Sequence, residues 1–130
     1  MNKDFDTWNK IKKQINNTHS IESLFFREKE VWWCACGLNI GFEQDGKGPD
    51  FRRPFLIVKK FNKYAVLAIP LTSKDKLGKY YLPCDLGDGI LRKGIISQLR
   101  LIDTRRLIDK LGTLNTVSYL EIKKAIKDMV

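Results

Sequence analysis

Apolar residues near the start of the chain recur at the spacing of an amphipathic helix. Within residues 4–17, one helical face carries four of them, at steps of three, three and four: Phe5, Trp8, Ile11 and Ile15. Polar residues end this pattern, and a short apolar piece follows at 21–26. We therefore expect residues 1–28 to form a helical extension that packs back on the rest of the chain.

Beyond the extension, the pattern changes to short apolar runs separated by turn residues, which is typical of strands. The predicted strands are 30–36, 55–60, 64–69, 79–83, 94–102 and 107–114. Residues 61–63 are short enough for a hairpin turn between the second and third strands. The segment 41–50 contains three Gly, one Pro and three acidic residues, which predicts a loop.

The end of the chain returns to helical spacing. Residues 116–129 carry one apolar face, formed by Tyr119, Ile122, Ile126 and Met129, and Ser118 and Glu121 have the spacing of a capping box. Strands without alternating helices predict a mainly β fold, a small antiparallel barrel or curled sheet with flanking helices. We expect residues 29–130 to form this one domain.

Composition restricts the class of protein further. The chain has 130 residues, 43% of them hydrophobic, which is enough for one core without disulfide or metal support. It has no run of about 18 apolar residues that would cross a membrane, and its first ten residues lack the apolar core of a signal peptide. Three cysteines are too few for a disulfide framework, so we expect a cytoplasmic protein.

The chain is strongly basic. Lysine and arginine number 24 against 15 acidic residues, which gives a net charge of +9. Residues 91–130 alone carry nine basic and four acidic side chains. A basic chain this small favours a polyanion or an acidic protein as its partner.

The residue types exclude some catalytic chemistries. The one histidine, His19, lies in a polar segment typical of a loop, so a mechanism with two histidines is excluded within one chain. Cys34 and Cys36 would share one face of a strand, but only Cys84 and His19 remain to complete the roughly four ligands of a zinc site. We therefore predict no metal and no cofactor, and we interpret the thiols as packing residues.

Two residue pairs in the middle of the chain suit base or phosphate binding. Trp32 and Trp33 must face opposite sides of their strand, so one is expected in the core while the other either packs or stacks on a base. Arg52 and Arg53 precede Pro54 at the entrance of a strand, and arginine suits bidentate contact with phosphate. The alternative for this region is a surface loop with a Glu–Arg pair.

Hydroxyl side chains end another predicted strand. Thr72 and Ser73 follow shortly after Pro70, which stops the strand. Hydroxyls and free backbone N–H groups at a strand end can hold a phosphate, and they can equally cap a turn. This feature alone does not distinguish the two interpretations.

Five short segments, in this order, resemble motifs of the MazF/PemK family of toxin–antitoxin ribonucleases. They are Val31-Trp32-Trp33, Gly41-Phe42-Glu43-Gln44, Arg53-Pro54-Phe55-Leu56-Ile57-Val58, Ile69-Pro70-Leu71-Thr72-Ser73, and Gln98-Leu99-Arg100-Leu101-Ile102-Asp103 with Arg106-Leu107. No single segment is specific, but five in the right order and spacing are. The resemblance covers residues 29–130.

This resemblance implies an SH3-like antiparallel barrel of the plasmid-maintenance toxin type, which forms a homodimer. Members of the family cut single-stranded RNA, including messenger RNA, without a metal and leave a 2′,3′-cyclic phosphate, and an acidic antitoxin protein inhibits them. The catalytic residues of the family correspond to Arg53, Thr72 and Glu43. Glu43 would either accept the proton of the 2′-OH or hold Arg53. Four further residues are expected to bind RNA: Arg52, Ser73, Lys47 and Gln98.

The sequence departs from the family pattern in three places. The N-terminal extension is longer than usual, and the glycine-rich loop has additional residues at 47–51. Gly94 or one of its neighbours stands where the family often has a serine, and Ser97 is the nearest substitute. Two alternative functions therefore stay open at this stage: a non-catalytic nucleic-acid-binding barrel, and a topoisomerase-poisoning toxin of the same fold.

Overall fold

The computed structural model describes residues 3–16, 25–37 and 51–130. These residues form one helix near each end of the chain and seven strands between them. In chain order the elements are α1 (Phe5–Asn16), β1 (Glu30–Ala35), β2 (Arg52–Lys60), β3 (Ala65–Thr72), β4 (Tyr81–Pro83), β5 (Lys93–Ile95), β6 (Arg100–Asp103), β7 (Leu107–Thr113) and α2 (Thr116–Met129).

The strands pair in an antiparallel sheet with the order β4-β5-β3-β2-β1-β7, and β6 also pairs with β3. The long strands β2 and β3 lie at its centre, with Phe55 opposite Pro70 and Leu56 opposite Ile69. Within the described residues, the pairing does not close into a ring. The prediction of a mainly β antiparallel fold with flanking helices is confirmed.

The alternating side chains of β2 divide the core into two clusters. Phe55 and Ile57 point to one face of the strand and pack in a cluster with the side chains of β1, β3, β6 and β7. Leu56 and Val58 point to the other face, where α2 packs. The hydroxyl of Tyr119 in α2 donates a hydrogen bond of 2.6 Å to the Val58 carbonyl and fixes the helix there.

Three local predictions were wrong. Pro70 does not stop its strand, because β3 continues to Thr72, where its last two residues pair with β5. The helix α2 is capped by Asn115, whose side chain accepts a hydrogen bond of 2.8 Å from the Ser118 amide, and not by a capping box that begins at Ser118. The predicted strand 94–102 is also interrupted by a 3₁₀ turn at 96–98. Gly94 pairs with Leu71 and Arg100 with Ala68, so six residue steps face three on β3, and the turn accommodates the excess.

Packing around Gly94 explains why this position has no side chain. A Cβ atom there would lie 2.7 Å from Cδ1 of Ile69 and 3.1 Å from the Cys84 sulfur, and both of those side chains are fully buried. A serine there would therefore displace the end of the Ile69 side chain.

Trp8 attaches α1 to the rest of the structure. It is the buried residue of this helix, with 5% of its surface exposed, and it packs between Gly37 at the end of β1 and Phe51 before β2. The division of the chain into an extension at 1–28 and a domain at 29–130 stays a prediction. No helix in the described residues combines the length and apolar character needed to cross a membrane.

Candidate functional site

A cleft of about 540 Å³ lies where the start of β2 meets the end of β3. Because the two strands are antiparallel, residues from opposite ends of their sequence segments come together there. The cleft is lined by Trp33 from β1, by Arg52, Arg53 and Pro54 from β2, by Leu71, Thr72, Ser73 and Lys74 at the end of β3, and by Ile90 and Arg92 before β5. We call it the central cleft.

Arg53 is held against the end of β3. Its Nη1 atom donates a hydrogen bond of 3.0 Å to the Leu71 carbonyl, which places the guanidinium beside Thr72. The side chain is half-buried, and its backbone pairs with Cys34 in β1. A guanidinium carries five N–H donors in a fixed plane and stays charged at any physiological pH. The central cleft therefore contains an oriented and permanent positive charge.

Thr72 ends β3 with a turn that its own hydroxyl stabilises. The Oγ1 atom accepts a hydrogen bond of 3.2 Å from the Lys74 amide, and the residue is 7% exposed. A hydroxyl that accepts a bond retains its hydrogen for donation. Ser73 follows on the exposed side of the cleft. The expected pair of hydroxyls thus lies next to the expected arginine.

Arg52 lies on the other face of β2 and packs on Trp33. The centre of its guanidinium is 5.2 Å from the centroid of the Trp33 ring, and its Nη1 atom is 3.9 Å from a carboxylate oxygen of Asp109. Trp32 points the opposite way into the core, where its Nε1 donates a hydrogen bond of 3.0 Å to Glu30. The prediction that one tryptophan is buried is confirmed, and the other lines the cleft.

Three lining residues were missed by the sequence analysis: Lys74, Ile90 and Arg92. Arg92 forms an ion pair of 2.8 Å with Asp88, so its charge is largely compensated. Ile90 is half exposed and gives this wall an apolar surface. The Asp88–Arg92 spacing is visible in the sequence, but the pairing of β5 with the end of β3, with Lys93 opposite Thr72, brings this segment to the cleft.

Of the three other predicted site residues, Gln98 alone lies within the described residues. Gln98 lies in the 3₁₀ turn at 96–98 and is not among the lining residues. Glu43 and Lys47 fall outside the described residues, so their expected roles stay predictions. His19, which is expected in a loop and not in the site, also lies outside them. The cleft therefore unites four of the seven predicted residues: Arg52, Arg53, Thr72 and Ser73.

The three thiols are buried and poorly suited to chemistry. Burial raises the pKa of Cys34 well above its usual range, and it raises the pKa of Cys36 to about 11, although the nearby charge of Arg53 opposes the shift. Burial likewise raises the pKa of Cys84 to about 12. All three are protonated near neutral pH, a form that neither attacks nor ligates a metal. Within the described residues, no three His, Cys, Asp or Glu side chains are grouped as a metal site.

Comparison with known proteins identifies the family. Residues 27–130 match the sequence model of the PemK-like, MazF-like toxins of type II toxin–antitoxin systems. No curated protein matches the sequence. The match to the family leaves α1 outside and includes every described residue of the central cleft.

Solved structures of this family share the fold. MazF from Deinococcus radiodurans is 18% identical with a TM-score of 0.65, over 82% of this chain and 96% of that one. A mycobacterial endoribonuclease in complex with its cognate antitoxin is 17% identical with a TM-score of 0.60, over 80% and 93%. Identities this low establish the fold, while the match over residues 27–130 establishes the family: the chain belongs to the PemK-like, MazF-like toxins of type II toxin–antitoxin systems.

Proposed function

We propose that this toxin is an endoribonuclease that cuts single-stranded RNA in the central cleft. The observation that supports the proposal most strongly is the position of Arg53, whose guanidinium is bonded to the Leu71 carbonyl next to Thr72. A fixed guanidinium beside a hydroxyl suits a phosphate that gains negative charge during reaction. Within the described residues, no comparable contact favours a non-catalytic nucleic-acid-binding barrel or a topoisomerase-poisoning toxin.

RNA supplies its own nucleophile, so the protein needs none. The 2′-oxygen forms a bond to the adjacent phosphorus, the bond from phosphorus to the 5′-oxygen breaks, and the product carries a 2′,3′-cyclic phosphate. The 2′-OH loses its proton and the leaving 5′-oxygen gains one. Arg53 stabilises the charge on the non-bridging oxygens, and Thr72 orients the phosphate for in-line attack. This chemistry requires neither a metal nor a histidine.

Glu43 has two alternative roles, and in only one of them is it the proton acceptor. This carboxylate either takes the proton of the 2′-OH or holds Arg53 in place. Arginine itself is a poor base because its pKa is so high. Arg52, Ser73, Lys47 and Gln98 are proposed to bind the RNA outside the reacting phosphate.

The substrate provides the first test of this function. A pool of single-stranded RNAs of varied sequence is incubated with the toxin in EDTA, and the cut positions are mapped. We expect cleavage that EDTA leaves unchanged, and cyclic phosphate at the new ends. Replacing the ribose before the cut by 2′-deoxyribose should abolish cleavage there while adjacent sites are still cut. Cleavage of the deoxy-substituted position would contradict attack by the 2′-OH, and a pool that stays intact would favour a non-catalytic nucleic-acid-binding role.

We further propose that an acidic antitoxin inhibits the toxin and that both act in the cytoplasm. The net charge of +9 and the exposed face of Arg52 suit a flexible acidic segment that folds onto the central cleft. The cognate antitoxin bound to the mycobacterial endoribonuclease supports such a partner. The association rate of the two proteins should fall as salt rises, because charges on the rim steer the encounter. A rate independent of salt would contradict this electrostatic steering.

A further inference from the structure

A second cleft lies between α1 and the turn that joins β6 to β7. It has a volume of about 350 Å³, with side chains of α1 on one wall and residues 103–106 on the other. We call it the α1 cleft. Its α1 wall lies outside the part of the chain that matches the family, residues 27–130.

The walls of the α1 cleft are fixed to each other. The Trp8 ring packs so closely on Gly37 that an added Cβ there would collide with the ring. The ring centroid is 5.8 Å from that of Phe51 and 5.7 Å from the guanidinium of Arg106. At the other end of α1, Nη1 of Arg105 donates a hydrogen bond of 2.8 Å to the Asn16 carbonyl. These contacts hold the two walls of the α1 cleft in a fixed arrangement.

Positive charge predominates in the α1 cleft. Four of its lining residues are cations, Lys12, Lys13, Arg105 and Arg106, whereas Asp103 is the one acid among the lining residues. That acid is bound by Arg105, with an N–O distance of 2.7 Å. Within the described residues, no carboxylate pairs with Lys12, Lys13 or Arg106. The cleft therefore has surplus positive charge that suits an anion.

Arg106 connects the α1 cleft with the central cleft. Its Nη1 atom donates a hydrogen bond of 3.2 Å to the carbonyl of Ala35, and Ala35 pairs with Arg52 across β1 and β2. The end of β1 thus separates the two clefts, with a cation on each side of it. A chain that leaves the central cleft over this strand end arrives at the α1 cleft.

We propose that the α1 cleft binds backbone phosphates of the RNA strand on one side of the cut. This proposal rests on the proposed ribonuclease function. Seven of the nine lining residues are polar or charged, and Trp8 is buried and not available as an anchor. Protein interfaces have apolar or aromatic centres, whereas nucleic-acid interfaces are more polar and more positive. The lining therefore favours RNA over an acidic protein.

The test removes the two exposed lysines of the cleft. The variant Lys12→Gln/Lys13→Gln is compared with Lys10→Gln/Lys127→Gln, which loses the same charge from exposed positions that line neither cleft. The probes are two RNAs with 2′-deoxyribose at the cut: a short one that fills only the central cleft, and the same sequence extended at both ends. Affinities are measured over a range of salt concentrations, and circular dichroism checks that both variants are folded.

We expect only the cleft variant to bind the extended RNA more weakly. The slope of its log affinity against log salt concentration should become shallower by about 1.4, because each of the two lost contacts with a single strand contributes roughly 0.7. The cleft variant should bind the short RNA as the parent protein does, and it should cleave the same short RNA with ribose at the cut at the parent rate. Equal affinity of the cleft variant and the parent for the extended RNA would overturn the proposal. So would a loss of affinity confined to an acidic polyglutamate peptide. If the parent cuts no RNA but the extended-RNA effect persists, the catalytic proposal fails and the α1 cleft stands.

Discussion

The two adjacent arginines of the central cleft differ because strand alternation turns them to opposite faces of β2. Arg53 is directed to the end of β3 and bonds to the Leu71 carbonyl, whereas Arg52 packs on Trp33 with part of its side chain in solvent. A donor held in one orientation suits a reacting phosphate, whereas a donor on the rim suits a phosphate that only needs to be positioned. Their variants should therefore fail in different ways.

Arg52→Ala should weaken RNA binding and leave the chemical step nearly intact. The loss of one contact with a single strand lowers the salt slope of binding by about 0.7. Binding of an uncleavable RNA over a range of salt concentrations measures this slope, and single-turnover cleavage at saturating protein measures the chemical step. Arg27→Ala, an exposed arginine that lines neither cleft, is the matched control. A large loss of the saturated rate in Arg52→Ala would place this residue in the chemistry.

Thr72→Ala should slow cleavage by about fivefold, because a neutral hydrogen bond contributes about 1 kcal/mol. The change also deprives the Lys74 amide of its acceptor, so the turn at the end of β3 should loosen. Thr72→Ser keeps the hydroxyl and should retain most of the rate. The measurement is the saturated cleavage rate of each variant. A serine variant as slow as the alanine variant would show that the methyl group, and not the hydroxyl, matters.

At the residue scale, the sequence predicted the proposed catalytic side chains better than the residues that surround them in the central cleft. Arg53 and Thr72 were expected together because their segments resemble family motifs, and the antiparallel pairing of β2 with β3 brings them into one cleft. Arg92 and Lys74 were missed, because their positions depend on how loops fold back, which involves no periodic pattern. Gln98 was assigned to RNA binding from its motif, but the 3₁₀ turn holds it away from the lining of the cleft.

At the scale of elements, hydrophobic spacing predicted which segments form strands and helices, whereas their ends depend on contacts. The interruption at 96–98 arises from a mismatch in register between β5, β6 and their shared partner β3. Asn115 and Ser118 are both suitable capping residues near the start of α2, and the Asn115 side chain is the one that caps it. The register mismatch leaves no signal in the local pattern, whereas Asn115 is a preferred N-cap residue directly before the helix and could have been identified from the sequence.

Gly37 should determine whether α1 stays attached. Gly37→Ala introduces a Cβ at a φ of +71°, and that atom would collide with the Trp8 ring. Gly87→Ala is the control, because its φ of +77° carries the same backbone strain and its Cβ would meet nothing within 4 Å. We expect faster proteolysis and amide exchange of α1 in Gly37→Ala only. Equal protection of α1 in both variants would contradict the attachment through Trp8.

At the scale of the whole molecule, the chain offers a basic surface and exposed apolar side chains, and each implies a partner. The net charge of +9 suits RNA and an acidic antitoxin. Among the large apolar residues, Leu77, Leu91 and Leu101 are each more than half exposed, whereas others of the same kind are buried in the core. Composition indicated the charge, but only the fold reveals which apolar residues stay outside.

We predict that the toxin is a homodimer, because a second copy would cover part of this exposed apolar surface around a two-fold axis. Light scattering at micromolar concentration should give twice the 15.1 kDa mass of one chain. The same measurement at high salt should give the same mass if apolar contacts hold the dimer. A mass near that of one chain would contradict the prediction.

The central claim is that Arg53 supplies the charge that stabilises the reacting phosphate. The most direct measurement is the single-turnover cleavage rate of one mapped single-stranded RNA, in EDTA and at saturating protein, for the parent, Arg53→Ala, Arg53→Lys and the control Arg27→Ala. Loss of one preorganised donor should slow Arg53→Ala by about 10²–10³-fold or more. Arg53→Lys should recover little, because the planar contact is lost, and Arg27→Ala should match the parent. A folded Arg53→Ala protein that cuts at the parent rate would contradict the account.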